Sequence, residues 1–280
     1  MIIMGHFVLL ILISFLQYSS CKYIQCTSHC SQITVSFLQP LSIPFQCQEN
    51  QKLIYDTALI CMIDYRIDYD NQQIYINFQS TNDTEQIFKE FNQAEALIQS
   101  IWLGFTRDSD QPNITHRSYS CSTENDCARL FYFNTIEYLI TDGRNTLNRI
   151  SSILYNHTTS KNYRCINNLK STNRSSVRCS KGLCYAHSHD HKQYCTSDLT
   201  PMFFSEIQYQ IPPLASNRRE LVEYKCNKNH CNRNSTIAKI HHLLLDYTNW
   251  QQIQEKSSSC QQILSSFIVF SLSLLFNLRV

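Results

Sequence analysis

Glycine is scarce in this 280-residue chain: Gly5, Gly104, Gly143 and Gly182 are the four present. Loops that cradle phosphates need closely spaced glycines so that backbone amides converge, and four scattered ones exclude them. An excess of charge of one sign is lacking too. The formal net charge is +2, and charged residues make up 16% of the chain. That gives no electrostatic case for nucleic acid or for an acidic membrane surface. No Gly-x-Ser-x-Gly elbow and no His-Glu-x-x-His helix occurs, so the expectation is a protein without a catalytic step, cofactor or metal. Long apolar runs are confined to the two ends.

Cysteine is plentiful, with 14 in the sequence, a density that points to an oxidising compartment. The ends agree. Phe7 to Leu16 is an apolar core of signal-peptide length, and small residues near Ser19 and Cys21 suit cleavage, so 1–21 reads as a signal peptide. Phe267 to Leu278 is short for a bilayer span. The small triplet Ser257, Ser258, Ser259 lies upstream of it at the spacing of a glycosylphosphatidylinositol attachment signal, so 260–280 reads as an anchor signal. Removing Cys21 and Cys260 with these ends leaves 12 cysteines, six before Asn156 and six after. That even split suggests a two-module ectodomain. Five Asn-x-Ser/Thr acceptors, at Asn82, Asn113, Asn156, Asn173 and Asn234, are expected at the surface.

Residues 22–156 form the first module, with Cys26, Cys30, Cys47, Cys61, Cys121 and Cys127. Close cysteines also suit zinc, but the secretory context favours disulfides, and their pairing stays open. Alternation from Leu59 to Phe78 predicts a hairpin. Thr84 to Trp102 carries Ile87, Phe91, Ala94, Ile98 and Ile101 at helical spacing and predicts a helix. Ser122 to Asn125 starts a second helix, whose apolar residues are Leu130, Phe133, Ile136 and Ile140, with Asp142-Gly143 as a stop before a further helical turn. Residues 157–164 read as a linker.

In 165–232, short segments of strand pattern separate Cys165, Cys179, Cys184, Cys195, Cys226 and Cys231. The stretch is too small and polar to hold by core burial alone. The Cys179-Ser-Lys-Gly-Leu-Cys184-Tyr185 step and the closing Cys226-Asn-Lys-Asn-His-Cys231-Asn232 resemble the three-finger family of lymphocyte antigen 6, the urokinase receptor and activin-type receptor ectodomains. The resemblance covers about a quarter of the chain. It implies pairs Cys165–Cys184, Cys179–Cys195 and Cys226–Cys231, with Asn232 sealing the loop bases. This chain lacks the family's second pair in finger one, and Lys225 stands where a further cysteine would precede Cys226. Residues 233–259, with Ile237, Ile240, Leu244, Tyr247 and Ile253 at helical spacing, read as a stalk.

The fold class expected is therefore disulfide-rich, mainly β with some helix (α+β). A β-hairpin and helix module is followed by a three-finger-like one. The resemblance implies protein–protein recognition by finger tips, here His187 to Lys192, with His187, His189 and His191, and Leu214 to Arg219, with Arg218 and Arg219. His187, His189 and His191, if on one strand, share a face. The function read from the sequence is a cell-surface, glycosylated, lipid-anchored ectodomain in the outer leaflet that binds an extracellular protein or modulates a receptor. The rivals are a single-pass receptor or co-receptor with a very short tail, an enzyme without a recognisable motif, and a glycan-shielded coat protein.

Overall fold

The computed structural model describes residues 23–28, 30–39, 41, 48–49, 52–83, 95–105, 112–157, 163–169, 175–210 and 219–248. The signal and anchor segments, Ser257 to Ser259, Cys47, Asn173, Leu214 and Arg218 lie outside these residues. Among those described, the fold is a disulfide-linked α+β structure built mainly of strands.

The first module contains β1 (Ile24–Thr27), β2 (Cys30–Ser36), β3 (Gln48–Glu49), β4 (Lys52–Leu53), β5 (Tyr55–Ala58), β6 (Ile60–Asp68), β7 (Gln73–Thr81), β8 (Ala96–Gly104) and β9 (Ile114–Cys121). Helix α1 (Cys127–Tyr138) then runs through a π-helical turn, Leu139–Gly143, into α2 (Arg144–Leu154). The second module has β10 (Tyr163–Asn167), β11 (Ser175–Cys179), β12 (Leu183–His187), β13 (Lys192–Thr196), β14 (Met202–Gln210), β15 (Arg219–Cys226) and helix α3 (Asn234–Thr248). Nine strands form one sheet in the order β13-β12-β15-β14-β8-β9-β6-β7-β2.

The predicted hairpin is β6–β7. Ile63, Tyr65 and Ile67 are buried, while Asp64 and Arg66 point to the opposite face, as a period of two requires. The acidic residues at its tip hold the turn together. Asp68 accepts bonds from the backbone and side-chain amides of Asn71, at 2.9 Å each.

Two helical expectations need correction. Residues 84–94 lie outside the described set, but Ala96–Gly104 is strand β8, with Leu97, Gln99, Ile101 and Leu103 buried in alternation. Pairing on both edges, to β9 and β14, overrides the local helical spacing. Asp142-Gly143 does not stop α1 either. Gly143 keeps right-handed helical angles and is buried, and a Cβ there would meet the Tyr247 ring at 3.0 Å. The glycine is there to let Tyr247 approach. Gly143→Ala is expected to cost about 1–3 kcal/mol, read from the urea midpoint, because the ring has to shift within a packed core.

The two halves repeat each other. The β1–β5 and β10–β11 pairs are small separate ladders. Cys26–Cys61 joins β1 to β6 as Cys165–Cys184 joins β10 to β12. Cys61 lies opposite Cys121, and Cys184 opposite Cys226. A short loop then closes on Cys127 or Cys231 before a helix. Asp126 and His230, each just before the closing cysteine, both have positive φ (59° and 52°), and their amides bond Gln25 O and Arg164 O.

The modules do not stand apart. β8 and β14 occupy equivalent places, and they pair antiparallel over nine residues from Ala96↔Gln210 to Gly104↔Met202. An approximate two-fold axis passes through the Ser100↔Glu206 pair. Each module's open edge is thereby covered by its sibling.

The segment read as a stalk contains α3, and that helix is core. Ile240, Leu243, Leu244 and Tyr247 are buried. Tyr247 donates to Thr115 Oγ1 at 2.6 Å and lies 2.7 Å from the Tyr69 hydroxyl, both in the first module. The helices α1, α2 and α3 all cover the same side of the sheet. On it, Tyr119 stacks on Phe131 with ring centroids 3.9 Å apart, and His241 of α3 bonds Glu220 of β15 at 2.6 Å.

Candidate functional site

The other side of the sheet carries no helix among the described residues. Its lining follows from strand alternation. Leu97, Gln99, Ile101 and Leu103 of β8 face the helices, so Ile98, Ser100 and Trp102 face away; in β14, Phe203, Ser205 and Ile207 face in, so Met202, Phe204 and Glu206 face away. Trp102 and Phe204 are direct partners across the module boundary, with ring centroids 4.2 Å apart. Trp102 is 40% exposed, the largest apolar side chain so displayed among the described residues. Around the pair lie half-buried Ile98, Ile114, Met202 and Leu221. Polar groups frame this apolar strip. Arg66 sits 4.2 Å above the Tyr75 ring, His116 lies 3.7 Å from Asp64, and Lys225 bonds Asp198 at 2.5 Å. The Lys225 ammonium holds the Asp198 carboxyl below the usual carboxylate range.

The face is held rigid at opposite ends by the disulfides of the two modules, with an asparagine seal in the second. Cys165 is joined to Cys184, Cys179 to Cys195 and Cys226 to Cys231, the pairs that the resemblance implies. In the first module Cys26 is joined to Cys61 and Cys121 to Cys127. Buried Asn232 accepts from the Ile166 amide at 2.9 Å and donates to the carbonyls of Ile166 and Tyr185 at 2.9 and 3.0 Å. In the first module the corresponding amide, Thr27 N, is bonded at 2.9 Å by Asp126 Oδ1. A different residue two places earlier does the same job.

The candidate tips are placed differently from their expected geometry. β12 ends at His187, and the chain turns at Ser188, whose amide and hydroxyl bond Val222 of the neighbouring strand β15 at 2.8 Å each. The three histidines therefore do not line one strand face. His187 Nδ1 accepts from the Asp190 amide at 3.1 Å, His189 is exposed, and His191 takes a positive φ of 52°. Lys192 bonds the Asp190 carboxylate at 2.8 Å and lowers its pKa. Arg219 is exposed at the start of β15. Among the described residues, the one group of metal-type donors close enough to share an ion is Cys165, Cys179 and Cys195, and those sulfurs are in disulfides.

One acid has a raised pKa. Burial lifts Glu95, partly countered by the hydrogen bond that the Tyr119 hydroxyl donates to it. The same contact and burial raise Tyr119, so the phenol stays protonated and acts as a donor.

The Trp102–Phe204 pair is not marked in the sequence, because Trp102 ends a segment whose stripe Ile87, Phe91, Ala94, Ile98 and Ile101 has helical spacing. With β8 recognised as a strand, its place on the non-core phase follows from alternation alone. Among the described residues no helix is long and apolar enough to cross a membrane. Comparison with protein-family models, with curated proteins and with solved structures finds no match to the chain.

Proposed function

We propose that this chain is a non-catalytic, extracellular binding protein made of two three-finger-type modules. It is glycosylated and held in the outer leaflet by a lipid anchor, and its partner is an extracellular protein or receptor. The observation that carries this reading is the helix-free sheet face, with the Trp102–Phe204 pair at its centre. An aromatic pair on a disulfide-stapled sheet, ringed by charged groups, has the composition of a protein-binding hot spot. Support for the module type comes from three hairpin-like pairs in the second half, β10–β11, β12–β13 and β14–β15, rooted in three disulfides. Their repetition in the first half extends the same reading there.

The test has two arms. Phosphatidylinositol-specific phospholipase C is expected to release the protein from intact cells with a C-terminus near Ser257 to Ser259. Retention with 267–280 intact would replace this reading with the single-pass receptor. In the second arm, released protein is titrated onto cells. Trp102→Ala with Phe204→Ala is expected to weaken binding about tenfold or more at unchanged melting temperature. Unaltered binding would move the contact away from the sheet face.

A further inference from the structure

The four described glycosylation acceptors, Asn82, Asn113, Asn156 and Asn234, do not sit in equivalent surroundings. Asn82 is exposed, and its Oδ1 accepts from the Leu59 amide. Asn113 is half-buried and clamps two hairpins together. Its backbone amide and its Nδ2 donate to the Asp70 carboxylate at 2.8 and 2.7 Å, and its Oδ1 accepts from the Gly104 amide at 3.1 Å. Its carbonyl also accepts from the Tyr69 amide at 3.0 Å.

The side-chain nitrogen has two hydrogens, and among the described residues the fold uses one of them. An N-glycosidic bond replaces one N–H hydrogen with the anomeric carbon of N-acetylglucosamine and leaves the other. Every bond of Asn113 therefore survives attachment.

Beside Asn113 lies a shallow cleft, open to solvent and lined also by Leu103, Phe105, Arg144, Leu147, Asn148 and Ser151. Phe105 is stacked on Tyr155 with ring centroids 5.6 Å apart, which holds its ring in place. Arg144 and Asn148 are exposed, one helical turn apart on α2, and have no bonding partner among the described residues. A mainly polar lining with a small apolar part at Leu103, Phe105 and Leu147 suits a sugar, which presents hydroxyls and an N-acetyl methyl.

We propose that Asn113 is glycosylated and that the first N-acetylglucosamine of its glycan seats in this cleft, bonded by Arg144 and Asn148. The sugar then ties α2 to the tips of the β6–β7 and β8–β9 hairpins. This inference rests on the secretory reading above.

The experiment uses the full chain expressed in cells that build high-mannose glycans, with an endoglycosidase to trim each glycan to a single sugar. Peptide mapping is expected to find Asn113 occupied. In the trimmed protein, Arg144→Ala with Asn148→Ala is expected to lower the melting temperature by about 2–4 °C. In unglycosylated protein made with glycan transfer blocked, which keeps Asn113 as asparagine, the same pair of substitutions is expected to have no effect, which closes a double-mutant cycle. An unoccupied Asn113 beside occupied acceptors overturns the inference, and so does an equal shift with and without the sugar. Absence of glycan from every acceptor overturns the secretory reading itself.

Discussion

Arg117→Ala is expected to destabilise the folded chain by about 3–5 kcal/mol, measured by urea denaturation. Arg117 lies on β9 with no exposed surface. Its Nε donates to Gln99 Oε1 at 2.6 Å, and Nη2 reaches the Tyr247 and Thr248 carbonyls at 3.4 Å. Gln99 in turn donates to Thr248 Oγ1 at 3.1 Å. The guanidinium thus meets the negative end of the α3 dipole, and no carboxylate contacts it among the described residues. Nη1 has no hydrogen-bond partner. Truncation leaves Gln99 Oε1 and two carbonyls short of donors and opens a cavity in the core. Arg117→Met keeps most of the volume and removes a costly buried charge, so its expected loss is under about half that of the alanine variant. Equal losses would assign the effect to the lost guanidinium hydrogen bonds, with no part due to volume.

Replacing both Cys26 and Cys61 by alanine is expected to cost about 4 kcal/mol, and replacing Cys165 and Cys184 about 3 kcal/mol, from loop closures of 35 and 19 residues. All four residues are buried, so lost packing adds to each figure. The two variants occupy equivalent places in the repeat, and chemical denaturation is expected to show one transition in each. Two separated transitions would mean that the modules unfold independently, contrary to the shared sheet.

The hairpins were legible because alternation is local: Ile63, Tyr65 and Ile67 in β6 and Ile207 and Tyr209 in β14 mark their buried faces directly. The helix of α3 was legible for the same reason, through Ile240, Leu244 and Tyr247. Its destination was not. Nothing near Tyr247 in sequence signals that its partners are Tyr69 and Thr115, 178 and 132 residues away. β8 was misread because it puts a polar residue, Gln99, on its core face and leaves Ile98 and Trp102 on the other, so hydrophobicity alone does not show the phase. The repeat was only half legible, through the Cys121 to Cys127 step that matches Cys226 to Cys231, because its seals differ in chemistry. Asp126 before one closing cysteine does what Asn232 does after the other. The turn between His187 and Lys192 was legible from its polar run, while the Trp102–Phe204 pair depends on a strand pairing between modules that no local pattern encodes.

The seating of α3 also sets an order of events during synthesis. Tyr247 fills the space over Gly143 and bonds Thr115, so the first half's core has an unfilled slot until residue 248 has left the ribosome. The amino-terminal half would wait with its β8 edge unpaired and Arg117 without the carbonyls that receive it. Closure over so long a stretch of chain is slow, and an exposed strand edge in the meantime invites association with other nascent chains. A helix at the end of the described residues is thus the last piece of the first module, which completes its core only once the chain has been made through residue 248.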